Sequence, residues 1–252
     1  MRLQNKVAVI TGASGGIGFA AAETFVREGA KVVLVDLHEG ALAAAAAKLG
    51  AAASHVAADV ADPEAMRRAI DSAVERHGGL DIFVANAGIE GEICDILDCP
   101  VEQFDRVMAV NVRGVWLGCK YAIAAMRERG GGSIVITSSG AGVNGVPKMV
   151  PYSTSKHAVI GLMRSLAIEC AKYQIRVNTV NPGPVETRMM RSIEDGRAPG
   201  AGERVKQKIS HATPLQRYAQ PAEIAAMMLF LASDEASYCT GGVYLVDGGG
   251  AA

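Results

Sequence analysis

The chain is predicted to fold as a doubly wound parallel α/β sheet with helices on both faces, and two observations carry that expectation. Short apolar runs alternate with longer amphipathic segments along nearly its whole length, the pattern of repeated βα units. Half of the 252 residues are hydrophobic while only 5% are aromatic. The core must therefore be built from Ala, Val, Ile, Leu and Met, as in sheets buried on both sides.

Seven strand-length runs fall at 7–10, 31–35, 54–58, 82–85, 133–137, 176–180 and 243–246. Helix-length segments lie between them at 17–28, 39–49, 63–77, 101–129, 152–173 and 222–232. The Ala-rich patch from Ala41 to Ala47 sits inside one helix slot and suits it, since Ala is the best helix former. These elements use up the chain without a Pro/Gly/Ser-rich linker, so a single domain spanning 1–252 is expected. The least regular stretch, 187–212, holds Gly196, Pro199, Gly200 and Gly202 amid charges. Such an insert is expected to be an irregular substrate-binding lid.

Twenty-five basic residues against 26 acidic ones leave a net charge of -1 with no polybasic run, which argues against a nucleic-acid partner. The residues from Met1 to Lys6 lead into the first strand without an apolar signal segment. The uncharged run 224–232 covers nine residues, half of what a membrane span needs. The five cysteines, Cys94, Cys99, Cys119, Cys170 and Cys239, are odd in number and contain no C-x-x-C pair. They read as reduced thiols, with no metal site and a cytoplasmic setting.

The first strand runs straight into Thr11-Gly12-Ala13-Ser14-Gly15-Gly16-Ile17-Gly18, and a helix follows. Glycines there let the backbone turn tightly and approach a pyrophosphate, whose charge the helix N-terminus attracts. Eighteen residues past Gly18 the second strand ends at Asp36, followed by Leu37. A carboxylate at that point accepts from ribose hydroxyls and repels a 2′-phosphate, and no Arg or Lys stands in the glycine loop, so NAD is favoured over NADP. Asp59-Val60 and Asn86-Ala87-Gly88 close the third and fourth strands at the carboxyl edge, where open α/β sheets bind ligands.

Tyr152 and Lys156 lie four residues apart, on one face of a helical segment, and Ser139 follows the fifth strand. Removing a hydride from an alcohol carbon also requires a base for the hydroxyl proton, poised near the working pH. Free tyrosine is about three pKa units too high, equivalent to about 4 kcal/mol. A cation about 4 Å away at an effective dielectric near 20 supplies roughly that much. Lys156 is thus expected to lower the pKa of Tyr152, while Ser139 holds the substrate oxygen. Ala141, Val143, Met149, Met189 and Met190 are expected to line the substrate space, with Glu90 and Glu92 near a rim. That lining suits a neutral or partly apolar secondary alcohol or ketone. The charges of the insert (Arg188, Arg191, Arg197, Arg204, Lys206 and Lys208 against Glu194, Asp195 and Glu203) leave an acidic or CoA-linked substrate open.

Together these residues resemble the classical, NAD-preferring short-chain dehydrogenase/reductase family, from Lys6 to Gly249. The resemblance maps the T-G-x-x-x-G-x-G loop onto Thr11, Gly12, Gly16 and Gly18, the cofactor-selecting acid onto Asp36 and the adenine-side Asp onto Asp59. It identifies Asn111, Ser139, Tyr152 and Lys156 as a catalytic tetrad, the Asn holding a water in a proton relay from the lysine. It places Asn181-Pro182-Gly183-Pro184-Val185-Glu186-Thr187 against the nicotinamide carboxamide, through Val185 and Thr187. Ala85 departs from the family's habit of an Asn before N-A-G. The resemblance further implies a Rossmann-like strand order 3-2-1-4-5-6-7 and a homotetramer joined through the helices at 101–129 and 152–173, with the segment Gly241 to Gly249 at a second contact. Two rivals remain: an NADPH-dependent 3-oxoacyl-carrier-protein reductase, which Asp36 disfavours, and a non-catalytic NAD-binding redox sensor, which would have no need of Tyr152 with Lys156.

Overall fold

A computed structural model describes residues 1–252. Seven strands form one parallel sheet: β1 (Val7–Thr11), β2 (Lys31–Asp36), β3 (Ala53–Ala57), β4 (Ile82–Ala85), β5 (Gly132–Thr137), β6 (Ile175–Pro182) and β7 (Val243–Val246). Their order is β3-β2-β1-β4-β5-β6-β7, as the resemblance implied. The chain first steps outward from β1 to β3, then returns to lay β4 on the other side of β1. That reversal opens a crevice beyond the carboxyl ends of β1 and β4.

Alternation along the strands sorts the core into two layers. Ala8, Ile10, Val32 and Leu34 pack on one face with Phe25, Leu42, Ile224 and Met228, which belong to helices α1 (Gly16–Arg27), α2 (Glu39–Leu49) and α9 (Pro221–Ala232). Val7, Val9, Val33 and Val35 pack on the other face with Met66, Leu117 and Met163. These come from α3 (Pro63–His77), α5 (Gly114–Arg129) and α6 (Val150–Cys170). The register sets Val9 opposite Val33 and Ile10 opposite Leu34, and a slip of one residue would exchange the faces. Phe25 and Phe83, fully buried on opposite sides, each contribute about 2–3 kcal/mol of apolar burial.

Local signals fix the helix ends. Asp62 accepts from the Ala65 amide at 2.8 Å with Pro63 at the first helical position, and Gly78, at φ 80°, ends α3. At α9 a reciprocal capping box joins Gln220 and Glu223.

Three expectations change. The third, fifth and sixth strands start one residue early, at Ala53, Gly132 and Ile175. The segment 101–129 is not one regular helix: α4 (Val101–Met108) and α5 are joined by a turn of π-helix, Ala109–Arg113. The extra residue in that turn shifts the phase of the rod, so that α4 packs on α6 and α5 on α3. Nor is 187–212 irregular. It forms α7 (Arg188–Arg197) and α8 (Gly202–Ala212), joined by a turn in which Gly200 takes φ 73°. Thr187 caps α7 by accepting from the Met190 amide at 3.4 Å. Gly196, expected within an irregular stretch, is a point of close approach inside α7: a Cβ there would lie 2.8 Å from Ile93 Cγ1.

Candidate active site

The glycine turn is built against the end of β4. Thr11 Oγ1 accepts from the amides of Asn86 and Ala87, both at 3.0 Å. Asn86 Nδ2 donates to the carbonyls of Thr11 and Gly12 at 3.1 and 3.3 Å, and its Oδ1 accepts from Thr137 at 3.1 Å. Gly12 takes φ 65°, and a Cβ on it would come within 2.9 Å of Ala87 Cα. On Gly18 it would overlap the Gly12 carbonyl oxygen. Glycine is therefore required at both positions by the close approach of β1, β4 and α1.

The opening of α1 has no side-chain cap, and nothing lies within 4 Å of a Cβ built on Gly15. Free amides at the N-terminus of a 12-residue helix beside open space fit an anionic diphosphate. Ile17 flanks that opening, half-buried. Asp36 faces the same turn. Its Oδ2 accepts from the Ser14 amide at 3.1 Å and the Ser14 hydroxyl at 2.6 Å, while Oδ1 accepts from the Leu37 amide at 2.8 Å. Leu37 itself is 60% exposed. Asp59, also exposed, accepts from the Ala61 amide at 2.9 Å, and Val60 is buried against Gly114.

The segment after β6 closes on the glycine turn. Gly183 sits where a Cβ would meet Asp247 Cα at 2.7 Å, and Val185 is buried and bridged to Ala219. Thr187 Cγ2 would contact a Cβ on Gly16 at 3.5 Å. Pro182, Gly183, Val185 and Thr187 thus lead from the sheet edge to the mouth of α1.

Between these two loops lies the reactive cluster. Tyr152 and Lys156 rise from α6 and are 8% and 4% exposed. Lys156 Nζ donates to the Thr137 carbonyl at 2.9 Å and lies 5.5 Å from the Tyr152 ring centroid. Ser138 Oγ donates to the Lys156 carbonyl at 2.9 Å. Ser139 opens a short 3₁₀ turn, its hydroxyl accepting from the Ala141 amide at 3.1 Å and its carbonyl from Asn181 Nδ2 at 2.9 Å. Asn111, in the π turn, is fully buried. Its Oδ1 accepts from the Ile89 amide at 2.8 Å, and its Nδ2 donates to the Ile89 carbonyl at 2.9 Å and to Ser155 Oγ at 3.0 Å. It fastens the chain just after Gly88 to α6; a Cβ on Gly88 would lie 3.5 Å from Lys156 Nζ.

The electrostatics differ from the expectation. Burial raises the pKa of the Tyr152 phenol, hydrogen bonding with Ser139 opposes it, and the charge of Glu90 adds to the rise. Burial also lowers Lys156 to about 8. The chain by itself therefore keeps the phenol protonated, because both groups have lost water and the ammonium is held on Thr137 rather than on the phenol.

Tyr152, Ala141, Met149 and Ile193 form an apolar cluster, with Ile93, Val146, Met189 and Met190 packed around it. Val143 is exposed and takes no part. Glu92 accepts from Gln103 Nε2 at 2.8 Å. Ile93, Val146 and Ile193 were not read from sequence. Ile193 follows Met189 at helical spacing and would have been found had 187–212 been read as a helix. Behind this wall Glu194, 2% exposed, accepts from the Tyr218 hydroxyl at 2.8 Å and pairs with Arg191 at 3.0 Å. Glu186 pairs with both Arg191 and Lys206.

Residues 12–250 match a family model described as Enoyl-(Acyl carrier protein) reductase. Levodione reductase of Leifsonia aquatica is 37% identical over 253 residues, covering 98% of this chain and 95% of that protein. The solved structure of a short-chain type dehydrogenase/reductase from Mycobacterium marinum matches with a TM-score of 0.91 at 37% identity, covering 98% of this chain and 96% of that one. NAD+-bound xylitol dehydrogenase matches with a TM-score of 0.93 at 33% identity, over 99% of this chain and all of that one.

Proposed function

This chain belongs to the short-chain dehydrogenase/reductase family, and from that membership we propose that it transfers a hydride between NAD and the carbon of a small secondary alcohol or ketone. The observation that carries the reading is the buried Tyr152–Lys156 pair on α6, set between the glycine turn and the Ser139 loop. Burying two titratable groups together is costly, and such groups concentrate at catalytic sites, which disfavours a silent sensor.

NAD, when bound, supplies the hydride acceptor and a positive ring, so that alcohol and NAD+ become carbonyl, NADH and a proton. Its diphosphate would lie beside Ser14 on the amides from Gly15 to Gly18, its ribose at Asp36, its adenine beside Leu37, Asp59 and Val60, and its nicotinamide along Asn86–Gly88 and Pro182–Thr187. Tyr152 holds the exchanged proton; a phenol kept protonated is ready to donate to a carbonyl oxygen. Ser139 holds that same oxygen. Lys156 contributes its charge from the Thr137 carbonyl, and Asn111 positions α6 and carries the relay. Ala141, Met149 and Met189 pack on the carbon skeleton, with α7 and α8 as the lid. The Asp36 carboxylate supports NAD over NADPH and so weighs against an acyl-carrier-protein reductase that uses the latter.

Exposed apolar side chains along α4 to α6, Val101, Phe104, Trp116 and Ile168, support assembly as a homotetramer. All five thiols are free, and no helix is long and apolar enough to cross a membrane; the thiols support a cytoplasmic setting. The test is turnover of a panel of secondary alcohols and ketones with NAD(H), wild type against Tyr152→Phe. The expected loss is about 10²–10⁴-fold in kcat with NADH binding retained; a fully active variant would refute the role given to the phenol.

A further inference from the structure

Glu90 lies in the run that borders the reactive cluster from the β4 side. Two residues before it, Gly88 stands beside Lys156 Nζ and Asn111 Oδ1. Three residues after it, Ile93 packs in the Tyr152 cluster. The adjoining Ile89 is pinned at both its amide and its carbonyl by Asn111, and Gly91, at φ 72°, turns against Val107. The backbone that carries Glu90 is therefore fixed at both ends.

Its neighbours have partners and Glu90 does not. Glu92 holds Gln103, and Asp95 pairs with Lys148. Glu90 is half-buried with no hydrogen bond or ion pair inside the chain, although its charge is felt at the Tyr152 phenol. Two cations of the site are engaged elsewhere: Lys156 donates to Thr137, and the Arg197 guanidinium rests on Met149 Sδ, 3.9 Å away. A half-buried carboxylate with no partner in the chain, next to an apolar cluster, is free to accept from a ligand donor that displaces its water.

Resting on the hydride-transfer reading above, we infer that Glu90 is a specificity-determining residue that accepts a hydrogen bond from a second hydroxyl of the substrate, close to the reacting carbon. The preferred substrates are then neutral diols and hydroxyketones of compact carbon skeleton. A carboxylate or phosphate at the same position is rejected by like charge.

Three four-carbon secondary alcohols test this: butan-2-ol, butane-2,3-diol and 3-hydroxybutyrate, each assayed with NAD on wild type and Glu90→Gln. In wild type kcat/KM is expected to be about tenfold or more higher for the diol than for butan-2-ol, the worth of one hydrogen bond to a charged acceptor. The hydroxy acid should fall below butan-2-ol. In Glu90→Gln the diol to mono-alcohol ratio should drop at least about fivefold and the acid to mono-alcohol ratio should rise. Wild-type ratios near one, or ratios that do not move in Glu90→Gln, overturn the inference while leaving hydride transfer standing. Turnover of none of the three compounds, nor of the wider panel, with either nicotinamide cofactor removes the underlying reading and this inference with it.

Discussion

Lys156 Nζ lies 5.5 Å from the centre of the Tyr152 ring yet donates to the main-chain carbonyl of Thr137, 2.9 Å away. The ammonium is held by backbone at the end of β5, in a place where burial brings its pKa down to about 8.

A pH dependence of stability follows. Unfolded, the lysine titrates at its ordinary value of 10.5, so between pH 8 and 10.5 the unfolded chain binds more protons and stability rises with pH. Below about 8 the burial penalty is present in full, on the order of 3 kcal/mol at about 1.4 kcal/mol per pKa unit. Lys156→Met removes that titration. In urea unfolding, the stability of the variant relative to wild type should be greatest below pH 8 and shrink by this amount toward pH 10.5. A difference that stays flat with pH would place the ammonium in water.

Asp36 is expected to set the cofactor. Its carboxylate is held against the glycine turn through Ser14, where a 2′-phosphate would meet its charge. Asp36→Ala should reduce the ratio of kcat/KM for NAD to that for NADP by about tenfold or more, the scale of one lost hydrogen bond to a charged acceptor plus relieved repulsion. An unchanged ratio refutes the assignment.

Two neighbouring glycines should behave differently. Gly18→Ala drives a Cβ into the Gly12 carbonyl and to 2.8 Å from Asn86 Nδ2; it should lose about 1–3 kcal/mol in chemical denaturation through overpacking. Gly15→Ala puts its methyl in open space from an extended backbone, φ −172°, and should change stability by less than about 0.5 kcal/mol. If a diphosphate uses that space, Gly15→Ala nevertheless weakens NADH binding in a fluorescence titration. Undiminished affinity would move the phosphates elsewhere.

Tyr218→Phe takes a donor from the buried Glu194 and leaves it to Arg191. The expected loss is about 1–3 kcal/mol. Because α7 also carries Met189, Met190 and Ile193 into the Tyr152 cluster, KM should rise more than kcat falls. Thermal unfolding together with steady-state kinetics checks both. A stability equal to wild type would mean that water reaches Glu194.

What the sequence made legible was local. Short continuous apolar runs, the glycine turn ending in Gly18, the acid at Asp36 and the four-residue spacing of Tyr152 and Lys156 each lie within one turn or strand. What it concealed depends on parts of the chain that meet only after folding. Ile93, Val146 and Ile193 come from three separate segments. Glu194 and Tyr218 are 24 positions apart. Gly196 reads as part of an irregular stretch until Ile93 is seen packed against it. The direction of the Tyr152 shift follows from how completely both groups lose water, which no spacing rule reports. Asn111 came only through the family resemblance, since nothing in the run Ala109–Arg113 announces a widened turn.

That widened turn, Ala109–Arg113, sets a condition on any attempt to idealise this scaffold. Forcing all five of its residues into regular α-helix would give a seamless rod and swing every downstream side chain through about 100°, the angular step of one helical residue. Asn111 would let go of Ile89 and Ser155, and the faces now turned toward α3 and α6 would no longer match. The irregular stretch of this long helix is thus the part that an engineer chasing uniformity must leave alone.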